Sequence, residues 1–215
     1  AEDPLRALRV AQFAARFEFA VSPELTALCR GMALGELPAE RFRGEIEKLL
    51  LKARRPALGF ALLREWEMLP AVAPELIPLA TTPQDPDWHP EGDVWIHTLL
   101  VIDEAAKLIA DLDRPRALAV MFGALCHDLG KPATTKFEDG RIRSRGHEEA
   151  GVSPTTSLLE RWNVHTLLGY DVRAQVEGLV AQHLKPGQLF DARDRVSDGA
   201  IRRLAGKCEP ELLYR

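Results

Sequence analysis

His127 and Asp128 stand side by side in the run Phe122-Gly123-Ala124-Leu125-Cys126-His127-Asp128-Leu129-Gly130-Lys131. Such a pair offers an imidazole nitrogen and a carboxylate oxygen to one divalent cation. The carboxylate can also bridge two cations, which is how two-metal sites clamp a reacting phosphate. The apolar residues before the pair predict a buried helix, and Gly130 is placed to end it in a left-handed conformation. Ligands near the end of a packed helix are held rigidly. On its own the dipeptide is a weak signal, because a histidine hydrogen-bonded to its neighbour at a helix end reads the same way. Three more histidines add weight. His97 lies in Val94-Trp95-Ile96-His97-Thr98-Leu99-Leu100, His147 in Gly146-His147-Glu148-Glu149-Ala150, and His183 in Leu179-Val180-Ala181-Gln182-His183-Leu184. Each sits near the start or end of a helix-like apolar segment, so the four imidazoles and Asp128 can converge in a helical bundle. A helix-capping His147 and a solvent-facing His183 are the plainer alternatives. Lys131 reads either as a phosphate contact or as the surface cation favoured at a helix C-terminus. Arg143 and Arg145, just before His147, can grip a phosphate in bidentate fashion. His89 reads as a loop residue stacked near Trp88, and Trp66, Trp95 and Trp162 as core or interface.

The elements that must position these residues are helical. Apolar residues recur at helical spacing over Pro4–Ala20, Pro23–Met32, Ala39–Lys52 and Pro56–Met68, with Pro or Gly breaks between them. From Ala80 to Asp93 the chain is proline-rich and is the candidate domain boundary. Beyond it the pattern predicts helices over Val94–Leu112, Pro115–Leu129, His147–Trp162, Val172–Leu184 and Asp198–Lys207, and a polar loop over Lys131–Gly146. Ser197 or Asp198 reads as a helix cap. Strand-length alternation is nearly absent, so the expected fold is all-α, with residues 1–80 as one helical unit and 81–215 as a second.

A chain of 215 residues can bury a substantial core, and its formal charge of −4 argues against a broadly basic nucleic-acid binder while allowing a local patch. Cys29, Cys126 and Cys208 show no C-x-x-C pair or disulfide-type spacing, which points to a reducing, cytoplasmic setting. No apolar run reaches the length of a membrane span, so no membrane partner is expected.

The spacing His97, His127-Asp128, Gly130-Lys131, His147 and His183 resembles the metal-dependent HD phosphohydrolase superfamily. Over Trp88-His89-Pro90-Glu91-Gly92-Asp93-Val94-Trp95-Ile96-His97-Thr98 and Ser144-Arg145-Gly146-His147-Glu148, the chain is similar to the HD domain of bacterial CCA-adding tRNA nucleotidyltransferases and their poly(A) polymerase relatives. Glu2-Asp3-Pro4-Leu5-Arg6 resembles that family's Glu-Asp-x-x-Arg motif, in which a carboxylate and a guanidinium select the incoming base. Leu8 to Phe17 resembles its neck helix, and Glu40-Arg41-Phe42-Arg43-Gly44-Glu45 the motif that braces the neck. Residues 1–80 then correspond to the nucleotide- and RNA-binding neck and body, and 81–215 to the HD-type unit.

The resemblance implies His97, His127, Asp128, His147 and His183 as ligands for Mn, Ni, Co or Mg, with one or two ions. It makes Asp128 and Lys131 the catalytic residues, puts Lys131, Arg143 and Arg145 on phosphate, and puts Glu2, Asp3, Arg6 and Arg9 on a nucleotide. The implied substrate is a nucleotide or RNA 3′-end phosphate, such as a 2′,3′-cyclic phosphate or a 2′-phosphate. tRNA and a second copy of the chain are candidate partners. The family's catalytic head, with its paired carboxylates and phosphate loop, has no counterpart in these residues, so no nucleotide addition is expected of this chain alone. The family also places a last metal-ligating aspartate just past Arg215, and both ends read as cut from a longer protein. Against the hydrolase stands a second reading, a tRNA- or nucleotide-binding portion with an incomplete or vestigial HD site.

Overall fold

The three helices that carry the central residues each begin on an aspartate. Asp93, Asp113 and Asp171 accept hydrogen bonds from Ile96 N (2.9 Å), Arg116 N (3.0 Å) and Ala174 N (3.0 Å), occupying donors that a helix start leaves unpaired. The computed structural model describes residues 3–32, 34, 37–209, 212–213 and 215. Its first half contains α1 (Leu5–Phe17), α2 (Pro23–Arg30), α3 (Ala39–Lys52), α4 (Pro56–Glu65), α5 (Leu69–Val72) and a 3-10 stretch, Pro74–Thr81. The second half runs α6 (Val94–Ala105), α7 (Arg114–Cys126), α8 (Lys131–Thr134), β1 (Lys136–Glu138), β2 (Arg141–Arg143), α9 (His147–Ala150) and α10 (Val152–Arg161). It continues with β3 (Thr166–Leu167), β4 (Tyr170–Asp171), α11 (Val172–Gln182), α12 (Lys185–Asp191), a short 3-10 turn at Arg193–Arg195 and α13 (Asp198–Ala205). The fold is all-α, with two small antiparallel hairpins, β1–β2 and β3–β4.

α7 is the hub. Its residues from Ala117 to Gly123 are all buried, and it packs against α3, α6 and α11. A helix that is apolar on every face belongs in the interior. At Gly123 a side chain would meet Leu179 of α11, so the glycine lets the two helices approach closely. In the first half α1 packs on α3 and α4, and α4 reaches α6. One buried cluster runs through both halves. Trp162 joins them: its indole N–H donates to Val72 O at 2.7 Å, and its ring lies 5.3 Å from that of Phe42 and 6.0 Å from that of Phe122. Trp66 and Trp95 are buried as well.

Several boundaries differ from the sequence reading for physical reasons. α6 stops at Ala105, seven residues short of Leu112, because the chain must reverse before Asp113 caps α7 and Pro115 fixes its first turn. Buried Ile109 therefore serves the turn rather than a longer helix. The expected helix over 147–162 is divided at Gly151 into α9 and α10. The segment expected as a polar loop, 131–146, contains α8 and the β1–β2 hairpin, reversed at Asp139 (φ 52°) and Gly140 (φ 77°). Two central residues with positive φ suit an Asp-Gly hairpin turn. Gly130 is not left-handed (φ −84°, ψ −16°). It is needed for space, since a Cβ there would lie 2.0 Å from His147 O. Ser197 caps α13 through Ala200 N.

Because Trp162 fills the junction of the two halves, Trp162→Ala is expected to cost about 3–5 kcal/mol of stability, read from urea unfolding at unchanged m.

Candidate metal centre

Asp128 lies just past the end of α7 and is 1% exposed, yet neither carboxylate oxygen has a hydrogen-bond partner among the described residues. An ionised carboxylate in that state is costly unless cationic charge compensates it. Imidazoles surround it on two sides. Oδ2 faces His127 Nε2 at 3.1 Å and His97 Nε2 at 3.8 Å, and Oδ1 faces His147 Nε2 at 3.3 Å. His183 completes the second side, its Nε2 3.1 Å from that of His147. Lys131 Nζ is 2.8 Å from Oδ2, while its hydrogen bond goes to Gln84 Oε1 at 2.7 Å.

The ring orientations follow from the helix ends. His127 and His183 are the C-caps of α7 and α11, where the last carbonyls lack helical donors. Their Nδ1 atoms meet Ala124 O and Val180 O, each at 2.8 Å, and His147 Nδ1 meets Ser144 O at 2.6 Å. A carbonyl can only accept, so each Nδ1 carries the proton, and each ring, when neutral, presents its lone pair at Nε2. Three Nε2 atoms and a buried carboxylate thus converge. Two facing Nε2 lone pairs repel unless a cation lies among them, so this donor set fits a divalent metal. Imidazole with carboxylate suits a borderline or hard ion, and the buried Cys126 thiol, pushed well up by burial, is not part of the set.

The site's electrostatics agree. Burial tends to raise the Asp128 carboxyl, but His127 and Lys131 beside it hold it well below the usual carboxylate range. Burial lowers His183 to about 4 and also depresses His97, in each case with the neighbouring His127 adding to the effect, so both are poised neutral. His127 moves the other way: burial opposes its charge, and Asp128 outweighs burial. Two potential ligand sets share Asp128, namely His97–His127–Asp128 and Asp128–His147–His183, and a third, His89–Glu91–His97, shares His97.

These residues line a cleft of about 300 Å³, with Gln84, Lys131 and Ser144 adding polar wall and Trp88 apolar wall. All four histidines singled out in the sequence are brought together with Asp128 and Lys131. Lys131 is 8% exposed and so is not an ordinary surface charge. Arg143 and Arg145 are placed differently: Ile142 and Ser144 line the cleft, and the two arginines are not among its wall residues. Arg145 is exposed, and the buried Nε of Arg143 has no hydrogen-bond partner among the described residues. In the first half, Asp3 pairs with Arg41 (2.7 Å) and Arg9 with buried Glu45 (3.5 Å), so these two side chains engage α3. Arg6 lies on α1 beside them, and Glu2 falls outside the described residues.

Gln84, His89, Glu91 and Ser144 were not legible as site residues. His89 is a loop residue, as its context suggested, but its ring packs edge-on against His97 at 4.7 Å and its Nδ1 meets Glu91 at 3.0 Å. Gln84 and Glu91 belong to the stretch read only as a boundary. The His-x-Glu pattern at 89–91, six residues before His97, is the signal that could have exposed two of them.

Comparison with known proteins places this geometry. Residues 94–210 match the family described as HD domain, and residues 18–79 the one described as probable RNA and SrmB-binding site of polymerase A. The chain is 45% identical over 168 residues to the multifunctional CCA protein of Burkholderia pseudomallei (strain K96243), covering 76% of this chain and 38% of that one. It is 40% identical over 173 residues to the protein of the same name from Mannheimia succiniciproducens, covering 77% and 40%. With that of Dechloromonas aromatica the identity is 45% over 169 residues, covering 76% and 39%. The chain thus spans about two fifths of the length of the curated relatives it matches. Among the described residues, no helix is long and apolar enough to cross a membrane.

The close approach of Gly130 to the backbone at His147 O (2.0 Å from an added Cβ) and Gly151 N (2.5 Å) sets the position of α9. Gly130→Ala is expected to cost about 1–3 kcal/mol of stability and, by moving His147 off Asp128, to weaken divalent-metal binding about 10-fold or more. Unfolding curves and metal titration of the variant check both.

Proposed function

This chain belongs to the HD-domain family of metal-dependent hydrolases, and we propose that it hydrolyses phosphate esters at nucleotide or RNA 3′ ends. The expected activities are 2′,3′-cyclic phosphodiesterase, 2′-nucleotidase or phosphatase. The observation that carries the proposal is the Asp128 carboxylate, whose two buried oxygens face different imidazoles. That donor set would suit Mn, Co, Ni or Mg, as one ion or two. His97 and His127 would hold one ion on the Oδ2 side, and His147 and His183 the other on the Oδ1 side. When bound, a divalent ion polarises a phosphoryl oxygen and makes water a competent nucleophile near neutral pH.

The chain's own residues supply the rest. The main-chain carbonyls behind His127, His147 and His183 keep the rings in one tautomer, so the donors need no reorganisation when a substrate arrives. Lys131, held by Gln84 beside Asp128, places a fixed positive charge where a phosphate oxygen gathers negative charge. Arg145 at the surface, with Arg143, would steer the anion inward. Trp88 is 73% exposed in the cleft wall and offers a ring face to a base. A cavity of about 300 Å³ suits a terminal nucleotide rather than a duplex. The RNA-binding family match over 18–79 and the CCA-protein relatives support tRNA as the larger partner, with Asp3, Arg6 and Arg9 contributing nucleotide contacts.

The test uses metal-stripped protein and 2′,3′-cyclic AMP. Product release should require added Mn²⁺, Co²⁺ or Ni²⁺ and fall to background in Asp128→Asn. Metal-independent turnover, or turnover that survives the substitution, would overturn the assignment. Bound metal without turnover would favour the non-catalytic RNA-binding reading.

A further inference from the structure

His97 differs from the other three histidines in where it sits on its helix. His127 and His183 close the C-terminal ends of α7 and α11 and donate to carbonyls that those ends leave free. His97 lies in the first turn of α6, where the unpaired main-chain groups are N–H donors rather than carbonyls. Among the described residues, no main-chain acceptor takes its Nδ1 proton. A side chain takes that place: Glu91 Oε1 lies 2.7 Å from His97 Nδ1.

We propose that Glu91 is a positioning residue of the metal centre, fixing His97 with its proton on Nδ1 and its Nε2 lone pair toward Asp128. His89 anchors it from the other side. The inference rests on the metal-centre reading above for its consequence, but its geometry stands apart from any bound ion. The same Oε1 faces His89 Nδ1 at 3.0 Å, so one carboxylate oxygen gathers two ring N–H groups. An ionised carboxylate can only accept, so it admits the Nδ1–H form of His97 and excludes the other tautomer. The adjoining N-terminus of α6 favours an anion at this place. A carboxylate behind a metal-ligating imidazole raises the basicity of the ligand and fixes its plane. The 89–93 segment between the two family matches is thereby tied to the centre: Glu91 holds His97, and Asp93 caps the helix that carries it.

The experiment is ¹⁵N NMR of the His97 ring in metal-free protein, paired with Co²⁺ titration followed by its visible absorption. In the wild type, Nδ1 should be protonated and Nε2 bare. In Glu91→Ala the ring should populate both tautomers, and Co²⁺ affinity should fall about 10–100-fold. Glu91→Gln, whose amide oxygen still accepts, should restore the Nδ1–H form and most of the affinity. An unchanged tautomer in Glu91→Ala would overturn the proposal, including the case where affinity alone falls, since Glu91 would then be a ligand itself. Protonated Nε2 at His97 in the wild type would overturn it even if Glu91→Ala failed to fold. A wild type that binds no Co²⁺ would instead sink the hydrolase reading and leave the tautomer result intact.

Discussion

A buried carboxylate enclosed by one ammonium and several imidazoles is the constraint on which the rest of this structure depends. Asp128 is held almost wholly out of water at the end of a helix that is itself interior. Charge in such a place persists only with opposite charge around it. Lys131, three residues on, supplies one cation, and the surrounding imidazoles with Asp128 form groups that could hold a metal ion. The packing of α7 between α3, α6 and α11 brings those imidazoles within reach. At Gly130 the chain passes the backbone of His147 too closely for a side chain, which keeps the second pair of imidazoles in register with the first.

Helix ends perform most of the fine positioning. Each helix leaves carbonyls unpaired at its C-terminus and N–H groups unpaired at its N-terminus. A histidine at a C-terminus can satisfy a free carbonyl through Nδ1 and point Nε2 outward, as His127 and His183 do. A histidine at an N-terminus needs a partner from elsewhere, and for His97 that partner is Glu91. The chemistry at Nε2 is therefore set by groups on the far side of each ring, from the second half of the bundle and from the stretch that joins the halves.

Much of this was legible in the sequence. The apolar run ahead of His127 marked a buried helix, Ala39–Lys52 formed α3 with the expected bounds, and the helix expected from Val94 begins there with His97 in its first turn. Residue types and spacing marked the four histidines, though spacing alone could not show that they converge. What escaped the sequence depended on tertiary contact. Gly130 signalled a helix stop in isolation, whereas its reason is the backbone of His147. Residues 80–93 carry the prolines of a linker, but Gln84, His89 and Glu91 turn that stretch into one wall of the cleft. The direction of Arg143 and Arg145 depended on a hairpin that Asp139-Gly140 announces and that the charged composition around it obscured.

The central claim is that Asp128 and the imidazoles around it are a metal centre. Anomalous diffraction from crystals grown with Co²⁺ or Ni²⁺ tests it most directly. The account predicts scattering peaks on both sides of Asp128, each at about 2.0–2.3 Å from a carboxylate oxygen and a histidine Nε2, distances typical of such ligands. Crystals whose only peaks lie elsewhere on the chain, with Asp128 still bare, would contradict it.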